Sequence, residues 1–335
     1  MSTKKEPISA ADDGAIDQAL RPTSWDEYIG QEKVKQNLRI IIEASKKRAA
    51  AMDHILFSGQ AGLGKTTLAV LVARELGGPL QTTSGPALEK MGDLAAILTN
   101  LEPGAVLFID EAHRINHLIE EVLYPAMESR KLHLMVGKGP AARSLTLDLP
   151  PFTLVAATTR ESLLSQPLRS RFGAVFRLDY YAPRDIATII ARSAKILGVT
   201  IDSEAITILA AASRATPRVA NRLLKRARDY AEVHSGASAI DAVSARHALE
   251  LLEIDPRGLE PQDRRLLEII ITKFGGGPVG VGTLAAALGE ERGAIEEIYE
   301  PYLMTLGFLQ RTPSGRVALQ AAYDHLGLKR PGEML

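Results

Sequence analysis

The chain has 335 residues, a formal net charge of zero and no cysteine. Its length predicts two or three domains, and its 46% apolar and 24% charged residues are typical of a soluble globular protein. The absence of cysteine excludes disulfides, thiolate nucleophiles and cysteine-ligated zinc, and it fits a reducing compartment. The sequence shows neither a secretory signal nor an apolar run of the ~18 residues needed to span a bilayer, so we expect a cytoplasmic protein.

The most informative stretch runs from His54 to Gly77 and predicts a buried strand, a glycine-rich loop and a helix that ends at the glycine. The loop matches G-x-x-x-x-G-K-[ST], which between a strand and a helix is typical of a phosphate-binding loop. Its residues are Gly59, Gly62, Gly64, Lys65 and Thr66. The glycines let backbone N–H groups surround phosphate oxygens, Lys65 can reach the β and γ phosphates, and Thr66 can ligate magnesium. An incidental glycine-rich turn is a much weaker alternative.

Two further apolar strands end in polar residues. GAVLFIDEAH ends its strand in Asp110 and Glu111. Beside a phosphate loop, Asp110 can support Mg²⁺ and Glu111 can orient or deprotonate the attacking water. FTLVAATTR ends in Thr158 and Thr159, whose hydroxyls can hold that water or contact the γ-phosphate. These strand ends predict a site that hydrolyses a nucleoside triphosphate.

Arginines follow these strands. Arg169 and Arg171 lie on a short predicted helix in SQPLRSRFG. An arginine that cannot reach its own nucleotide can serve a neighbouring subunit, and a surface salt bridge is the alternative. The chain then becomes helical, and Thr216 and Pro217 predict a helix start that leaves Arg218 outward in the first turn, where we expect it to contact nucleotide. Other basic residues of this module, for which a solvated face is the simplest explanation, are Arg214, Arg222, Lys225, Arg226 and Arg228.

After Ile254, a linker precedes three predicted helices and a hairpin, FLQR-TPSG-RVAL, an order typical of a winged-helix domain. The third helix is rich in glutamate, so repulsion by phosphate argues against its entry into a major groove. The hairpin, called the wing below, offers Arg311, Thr312, Ser314 and Arg316. These side chains suit backbone phosphates and carry no sequence information. A winged helix that contacts protein is the alternative.

Residues 131–149 interrupt the predicted core with an arm. Two strand-like runs, Lys131–Val136 and Arg143–Leu149, flank the turn-rich GKGPAA. At ~3.3 Å per residue each run is roughly 20 Å long, so the tip should stand clear of the core. Apolar residues towards the tip are Leu134, Met135, Val136 and Pro140. Such an arm suits a hydrophobic groove on a partner protein.

The order of these features resembles the AAA+ ATPases, and within them the RuvB family of bacterial Holliday-junction branch-migration motors. The strings that carry the resemblance are RPTSWDEYIGQE, LGKTTLA, LFIDEAHR, LYPAME, GKGPAARS, LDLPPFTLVAATTR, PLRSRFG, TPRVANRLLKRARDYA, KFGGGPVG and GFLQRTPSGRVA. They extend from about Leu20 to Leu328. The resemblance implies an α/β P-loop AAA+ ATPase core at 20–181, a helical lid domain at 182–255 and a C-terminal winged-helix domain at 256–335, and the residues before it, 1–19, are expected to form a disordered tail.

The resemblance also implies roles for individual residues. Lys65 and Thr66 match the Walker A pair, Asp110 and Glu111 the Walker B pair, Thr159 sensor 1, Arg171 the arginine finger and Arg218 sensor 2. The implied nucleotide contacts are Leu20, Arg21, Tyr28, Ile29, Gly59, Gly62, Leu63, Gly64, Lys65, Thr66, Thr67, Tyr181, Pro217 and Arg218. Magnesium is expected on Thr66 and, through water, on Asp110.

For function, the resemblance implies a motor that uses ATP and Mg²⁺ as a homo-hexameric ring and moves Holliday junctions in DNA recombination and repair. Its expected partners are junction DNA, bound without sequence preference through Arg311 and Arg316, and the RuvA tetramer, whose mobile third domain receives the 131–149 arm. The RuvC resolvase is expected to act in the larger complex.

Three other functions stay open at this stage. A clamp-loader-like switch would place another protein on DNA, but bacterial clamp loaders usually carry a cysteine-ligated zinc module and an SRC box, whereas this chain has SRF. A protein unfoldase typically has an aromatic pore loop, and the corresponding TTSGPALEKMGDLAAILTN has no aromatic residue. An ATP-gated DNA-binding module would bind ATP without hydrolysing it. The presence of Glu111, Thr159 and Arg171 argues for hydrolysis and so against this module.

Overall fold

The computed structural model describes residues 13–136, 143–235 and 239–330. These residues form two compact units. One unit contains Arg21–Tyr181, and the other combines the described residues up to Leu20 with those from Ala182 onward. The predicted α/β core therefore corresponds to one unit, and the helical residues that follow it belong to the other.

The two kinds of regular element alternate in the first unit, and helices dominate the second. The α-helices are α1 (Asp13–Leu20), α2 (Glu32–Arg48), α3 (Lys65–Leu76), α4 (Met91–Thr99), α5 (His117–Ser129), α6 (Gln166–Arg169), α7 (Pro183–Leu197), α8 (Ser203–Ala211), α9 (Pro217–Ser235), α10 (Ala242–Leu251), α11 (Pro261–Phe274), α12 (Val281–Leu288), α13 (Arg292–Ala294), α14 (Glu300–Thr305) and α15 (Gln320–Leu326). The strands are β1 (Ile55–Ser58), β2 (Leu80–Ser84), β3 (Ala105–Asp110), β4 (Lys131–Val136), β5 (Arg143–Asp148), β6 (Phe152–Thr158), β7 (Ala174–Arg177), β8 (Thr200–Ile201), β9 (Ala239–Ile240), β10 (Leu309–Thr312) and β11 (Gly315–Ala318).

A five-stranded parallel sheet with the order β2-β3-β6-β1-β7 forms the centre of the first unit. β1 and β6 are buried along their whole length, as expected where helices cover both faces of a parallel sheet. The register pairs Ser58 with Thr158 and Arg177, and it pairs Ser84 with Asp110. The carboxyl ends of the strands therefore share one edge, which is where open α/β sheets bind ligands.

The core on one face of this sheet packs α4 and α5 against alternate residues of β3 and β6. Leu107 and Leu154 are at most 1% exposed, and Leu123 of α5 is completely buried. Burial of each such side chain stabilises the unit by about 1.5–3 kcal/mol relative to exposure. This packing fixes the strand ends that carry the predicted acidic and threonine residues.

The 131–149 arm is a hairpin, as predicted. β4 pairs with β5 in antiparallel register from Lys131 opposite Asp148 to Val136 opposite Arg143. At its base Leu132 is fully buried in the core of the first unit, whereas Leu145 further along is 45% exposed. The predicted tip residue Pro140 lies outside the described residues. The arm is thus part of the connection between β3 and β6.

The first part of the second unit is a helical module, which confirms the predicted lid. It consists of α7 to α10 and a small parallel pair, β8 with β9. Aspartates cap two of its helices: Asp202 accepts from the Ala205 N–H at 2.5 Å, and Asp241 accepts from the Ser244 N–H at 2.8 Å. Side-chain caps of this kind stabilise helix starts by about 1 kcal/mol.

The expected disordered tail is wrong from Asp13 onward, because α1 is a helix. Ile16 and Leu20 lie one helical turn apart and are only 3% and 2% exposed. Asp17 forms an ion pair with Lys225 of α9 at 2.8 Å. The apolar spacing in DGAIDQAL was the sequence signal for this helix; residues 1–12 lie outside the described ranges.

Helices α11 and α12, a third helix and the hairpin β10–β11 follow in the order predicted for a winged helix. The third helix is not continuous α-helix, because a π-helical segment, Ile295–Tyr299, separates α13 from α14. In this segment the Glu300 N–H bonds to the Ile295 carbonyl, five residues back, and Pro301, which has no N–H, follows directly. The wing pairs Arg311 with Arg316 across its two strands.

Candidate functional site

The predicted phosphate loop joins β1 to α3 at the carboxyl edge of the sheet. Gly59, Gly62 and Gly64 have φ values of 145°, 83° and 96°, which glycine adopts without the steric cost of a Cβ atom. The loop is tied to β6 because the Gly59 N–H donates to the Thr158 carbonyl at 3.1 Å. Lys65, at the start of α3, donates from Nζ to the carbonyls of Gly59 and Gln60 at 2.7 and 2.8 Å. The ammonium group is thereby held over the loop, where a phosphate oxygen can replace a carbonyl acceptor.

A hydroxyl and a carboxylate face each other beside this loop. Thr66 donates from Oγ1 to Oδ2 of Asp110 at 3.3 Å, and Oδ1 of Asp110 accepts from the Glu111 N–H at 2.9 Å. These hard oxygen donors fit Mg²⁺, which typically takes one or two protein ligands and completes its octahedron with water and phosphate. Within the described ranges, no group of three or more His, Cys, Asp or Glu side chains suits a metal ion.

Glu111 sits in a strained turn immediately after β3. Its φ and ψ are 49° and 43°, the left-handed region that a non-glycine residue rarely adopts. A Cβ atom on Gly85, after β2, would lie 2.4 Å from the Glu111 carbonyl oxygen, so a glycine is required for this close approach. The Glu111 carboxylate is 48% exposed and forms an ion pair with Arg114 at 3.2 Å. An exposed carboxylate at this edge can accept a proton from water.

The two threonines at the end of β6 have different surroundings. Thr158 is fully buried, and its hydroxyl accepts from the Arg160 N–H at 3.0 Å and bonds to His113 Nδ1 at 3.1 Å. Thr159 is half-buried and follows the strand directly, at the edge that carries the phosphate loop. Thr159 is therefore better placed than Thr158 to contact water or phosphate. The link from His113 to Thr158, which ties the turn after Glu111 to β6, had no signal in the sequence.

Two buried tyrosine hydroxyls contact the backbone of the phosphate loop. Tyr28 and Tyr181 are 3% and 6% exposed, and both donate to the Leu63 carbonyl, at 3.4 and 3.2 Å. The Tyr28 hydroxyl also lies 3.2 Å from that of Tyr181, so the single Tyr181 proton is shared between this oxygen and the Leu63 carbonyl. Burial, reinforced by Tyr181, raises the pKa of Tyr28 well above its usual value. A Cβ atom on Gly64 would lie 2.8 Å from the Tyr28 hydroxyl, so the tyrosine also requires the last glycine.

The other predicted contacts divide between the two units. In the first unit, Leu63 is buried, Ile29 and Thr67 are half-buried, and Arg21 is exposed. In the second unit, Leu20 is buried, Pro217 is half-buried, and Arg218 is exposed in the first turn of α9.

Arg171 lies at the opposite edge of the sheet from the phosphate loop. It lines a cavity of ≈ 360 Å³ together with residues at the amino ends of strands, among them His54 before β1, Phe152 at the start of β6 and Gly173 before β7. The four residues of β1 separate the two edges, a length of about 13 Å at ~3.3 Å per residue. Arg171 therefore belongs to a surface distinct from the loop of its own subunit.

The Arg171 side chain is held in place by three neighbours. It forms an ion pair with Glu128 at 2.9 Å, donates to the Pro167 carbonyl at 2.6 Å, and stacks over the Tyr124 ring at 4.6 Å. The salt bridge that the sequence offered as an alternative is thus present, with the arginine side chain only 20% exposed. The guanidinium is oriented before any ligand arrives.

The wing arginines differ from expectation, because Arg316 is 8% exposed and does not offer a free guanidinium to DNA. It donates from Nε to the fully buried Glu300 carboxylate at 2.6 Å and pairs with Glu296 at 3.3 Å. Burial acts to lower the pKa of Arg316, but the bonds to Glu300 and the charges of both glutamates raise it above its usual value. Arg311 shares Glu300, at 2.5 Å, and remains 48% exposed. Both arginines bind the Glu300 carboxylate, but only Arg311 keeps an exposed guanidinium. The number of basic residues in the wing did not indicate this difference.

The arm carries the last set of predicted contacts. Leu134 is half-buried against the core, and the backbones of Met135 and Val136 pair with Ser144 and Arg143.

No helix in the described part of the chain is long and apolar enough to span a bilayer.

Three family profiles match successive parts of the chain. The profile of the Holliday junction DNA helicase RuvB P-loop domain matches residues 20–178. The RuvB AAA lid domain matches residues 181–255, and the RuvB C-terminal winged helix domain matches residues 256–327.

Solved structures from Thermotoga maritima are similar over nearly the whole chain. The RuvB Holliday junction branch migration motor of that organism is 48% identical, with a TM-score of 0.86, over 94% of this chain and 100% of that one. A variant of the same protein with an arginine replaced by alanine is 48% identical, with a TM-score of 0.85, over 93% of this chain and 99% of that one.

Proposed function

Since the chain belongs to the RuvB family, we propose a mechanism by which its own residues hydrolyse ATP and move a Holliday junction. The protein is a P-loop ATPase motor that drives branch migration of Holliday junctions. The observation that carries the mechanism is the meeting of Lys65, Thr66, Asp110 and Glu111 at one edge of the sheet. A clamp-loader-like switch is not favoured, because RuvB profiles match all three parts of the chain.

In this mechanism the phosphate loop binds ATP through backbone N–H groups, and Lys65 contacts the β and γ phosphates. Thr66, and Asp110 through water, would hold Mg²⁺, which supplies neutralisation of charge on the β and γ oxygens. Glu111 takes a proton from the attacking water, and the Thr159 hydroxyl orients that water. The strained turn at Glu111 keeps the carboxylate at the sheet edge, beside the loop that would hold the γ-phosphate.

We propose Leu20, Arg21, Ile29 and Pro217 as further nucleotide contacts, and Arg218 as a contact of the γ-phosphate. The tyrosines contribute differently from the sequence prediction. Since both hydroxyls bind the Leu63 carbonyl, Tyr28 and Tyr181 act by fixing the phosphate loop.

Arg171 completes the site of a neighbouring subunit. The supporting observation is its position at the amino edge of the sheet, remote from its own loop, with its guanidinium already oriented by Glu128 and Tyr124. An arginine supplied in trans stabilises charge that develops on the transferred phosphoryl group. This arrangement requires adjacent subunits, which we propose form a homo-hexameric ring that acts in the cytoplasm.

The winged-helix domain contacts the DNA backbone without reading sequence. Arg311 has the exposed guanidinium for a phosphate contact, and Arg316 places the wing through its bonds to Glu300. The glutamate-rich third helix remains unsuited to a major groove. Sequence-blind contact suits a motor that moves along any duplex arm.

Selection of a four-way junction is assigned to partners, because a sequence-blind wing does not distinguish a junction from plain duplex. We propose that RuvA binds the 131–149 arm through Leu134, Met135, Val136 and Pro140, and that RuvC joins the larger complex. The base of the arm supports this role, since Leu132 is buried in the core that also contains residues of β3 and β6, the strands that lead to Glu111 and Thr159. Binding at the arm can therefore bias the hydrolysis site.

The test is branch migration of a synthetic four-way junction, with and without RuvA, by the wild type and by Met135→Glu. We expect ATP-dependent migration that RuvA stimulates in the wild type, and loss of that stimulation in Met135→Glu with its basal ATP hydrolysis unchanged, since a buried carboxylate opposes docking in an apolar groove. Ser144→Ala on the paired strand is the matched control. ATP hydrolysis without junction movement would refute the motor, and loss of basal hydrolysis in Met135→Glu would make the arm purely structural.

A further inference from the structure

The turn between α8 and α9 has an unusual backbone just ahead of the predicted nucleotide-sensing arginine. Arg214 and Ala215 both have a φ of 52°, so two consecutive non-glycine residues occupy the left-handed region. Such conformations cost on the order of 1–3 kcal/mol each and persist only where the surroundings impose them. The turn leads directly into α9, whose first turn carries Arg218. The contacts that hold Arg214 in this conformation therefore help to position the first turn of α9.

The Arg214 side chain is held by three parts of the winged-helix domain. Its Nη1 donates to Oδ2 of Asp263 in α11 at 2.5 Å, and its Nη2 donates to the Ile298 carbonyl in the π-helical segment at 3.1 Å. The guanidinium also stacks over the ring of Tyr302 in α14 at 4.7 Å. Arg214 is thus not the solvated basic residue that the sequence indicated; its side chain is 13% exposed.

Asp263 is fully buried and depends on this arginine. Its Oδ2 also accepts from the Glu260 N–H at 2.9 Å, while its Oδ1 has no hydrogen-bond partner among the described residues. Burial raises the pKa of Asp263 against the opposing effect of Arg214. An unpaired buried carboxylate is strongly destabilising, so the pair resists separation. The lid and the winged helix are joined here by a contact that is costly to break.

The linker between the two domains packs against the same turn. A Cβ atom on Gly258 would lie 2.5 Å from the Ala212 carbonyl oxygen at the end of α8 and 3.2 Å from Cγ of Arg214. Gly258 also has a φ of 80°, which favours glycine. The linker therefore packs closely against the turn that carries Arg214, and a side chain at position 258 would disrupt this contact.

We propose that Arg214 and Asp263 are positioning residues that fix the first turn of α9 to the winged-helix domain, so that DNA held by the wing controls the placement of Arg218. The inference rests on the proposed function, in which Arg218 contacts the γ-phosphate. It adds a physical connection between DNA and nucleotide. The connection runs from DNA on the winged-helix domain through Asp263 and Arg214 to α9, which carries Arg218. A second ion pair across the joint, Arg222 with Glu260 at 2.7 Å, is 50% and 40% exposed and is expected to contribute little.

The test uses the full chain and three variants. Asp263→Asn keeps an oxygen that can accept from the Glu260 N–H but removes the charge opposite Arg214. Arg214→Lys keeps the charge but not the planar fork that reaches Asp263, the Ile298 carbonyl and the Tyr302 ring together. Arg222→Gln removes the exposed ion pair and is the matched control. ATP hydrolysis is measured with and without linear duplex DNA, beside DNA affinity and thermal unfolding.

We expect Asp263→Asn to lower the stimulation of ATP hydrolysis by DNA at least about fivefold, the lower end of ordinary coupling between sites, with DNA-free hydrolysis and DNA affinity within about twofold of the wild type. Arg214→Lys should fall between Asp263→Asn and the wild type, and Arg222→Gln should match the wild type. If Asp263→Asn does not fold, Arg214→Lys carries the test alone. Unchanged stimulation in the folded variants, or an equal loss with and without DNA, would overturn the inference. A wild type that DNA does not stimulate would instead refute the motor function, and the inference would fall with it.

Discussion

The phosphate loop and the wing both meet phosphate in the proposed function, yet they are built in opposite ways. At the loop, three glycines set the backbone, and the ammonium of Lys65 is held by loop carbonyls that a phosphate oxygen can replace. At the wing, Arg316 is committed to Glu300 inside the domain, and Arg311 shares the same carboxylate.

The difference shows what a local pattern can and cannot specify. A fixed spacing of glycine, lysine and threonine dictates the geometry of the loop, because every residue acts within one turn of chain. A count of basic residues gives only their total charge. It does not show which of them form ion pairs with carboxylates inside the domain. Substitutions in the loop should therefore change catalysis, whereas substitution of the buried wing arginine, Arg316, should mainly change stability.

The largest effect is expected at the sheet edge beside the loop. Glu111→Gln should lower ATP hydrolysis by a factor on the order of 100 to 10,000, the usual contribution of a general base, with ATP affinity nearly unchanged. Single-turnover hydrolysis together with equilibrium nucleotide binding measures both quantities. Glu43→Gln, on an exposed residue of α2 in the same unit, is the control. Normal hydrolysis by Glu111→Gln would remove the catalytic assignment.

A smaller effect should separate the wing arginines. Arg316→Ala should lower the free energy of unfolding by about 1–3 kcal/mol, because it leaves the buried Glu300 with fewer donors. Arg311→Ala should cost less stability and reduce the salt slope of DNA binding by about 1. Urea unfolding and DNA titrations over a range of salt concentrations provide the two readouts. The same loss of stability in both variants would erase the distinction drawn within the wing.

The smallest effect concerns the sheet that carries the loop. His54 accepts from the Leu154 N–H at Nδ1 and donates to the Met127 carbonyl at Nε2, and burial lowers its pKa. The unfolded chain, with a His pKa of about 6.5, then binds more protons than the folded one, so this stability is present above that pH and lost as pH falls below it.

Replacement of His54 should therefore flatten the pH dependence of stability. Between pH 7 and pH 5, His54→Asn should lose about 2–4 °C less in Tm than the wild type, the shift expected for roughly 1 kcal/mol. The asparagine oxygen can still accept from the Leu154 N–H but does not titrate. Parallel Tm curves for the two proteins would contradict the role assigned to His54.

The sequence predicted the elements that depend on neighbours in the chain. The phosphate loop, the β3 end with Asp110 and Glu111, the arm and the winged-helix order all follow from short spacings. What escaped were contacts between distant segments, such as the Tyr28 and Tyr181 hydroxyls on Leu63 and the pairing of Arg214 with Asp263. Their residue types fit solvated or ligand-facing positions equally well, so only the fold distinguishes them.

The central claim is that each hydrolysis site combines the loop of one subunit with Arg171 of the next. The direct measurement is DNA-stimulated ATP hydrolysis by a mixture of Arg171→Ala and Glu111→Gln subunits. Each variant alone should be nearly inactive, but in mixed rings Glu111→Gln subunits supply the arginine to intact loops of Arg171→Ala subunits, so activity should return. A mixture as inactive as its components, under conditions where subunits exchange, would contradict a shared site.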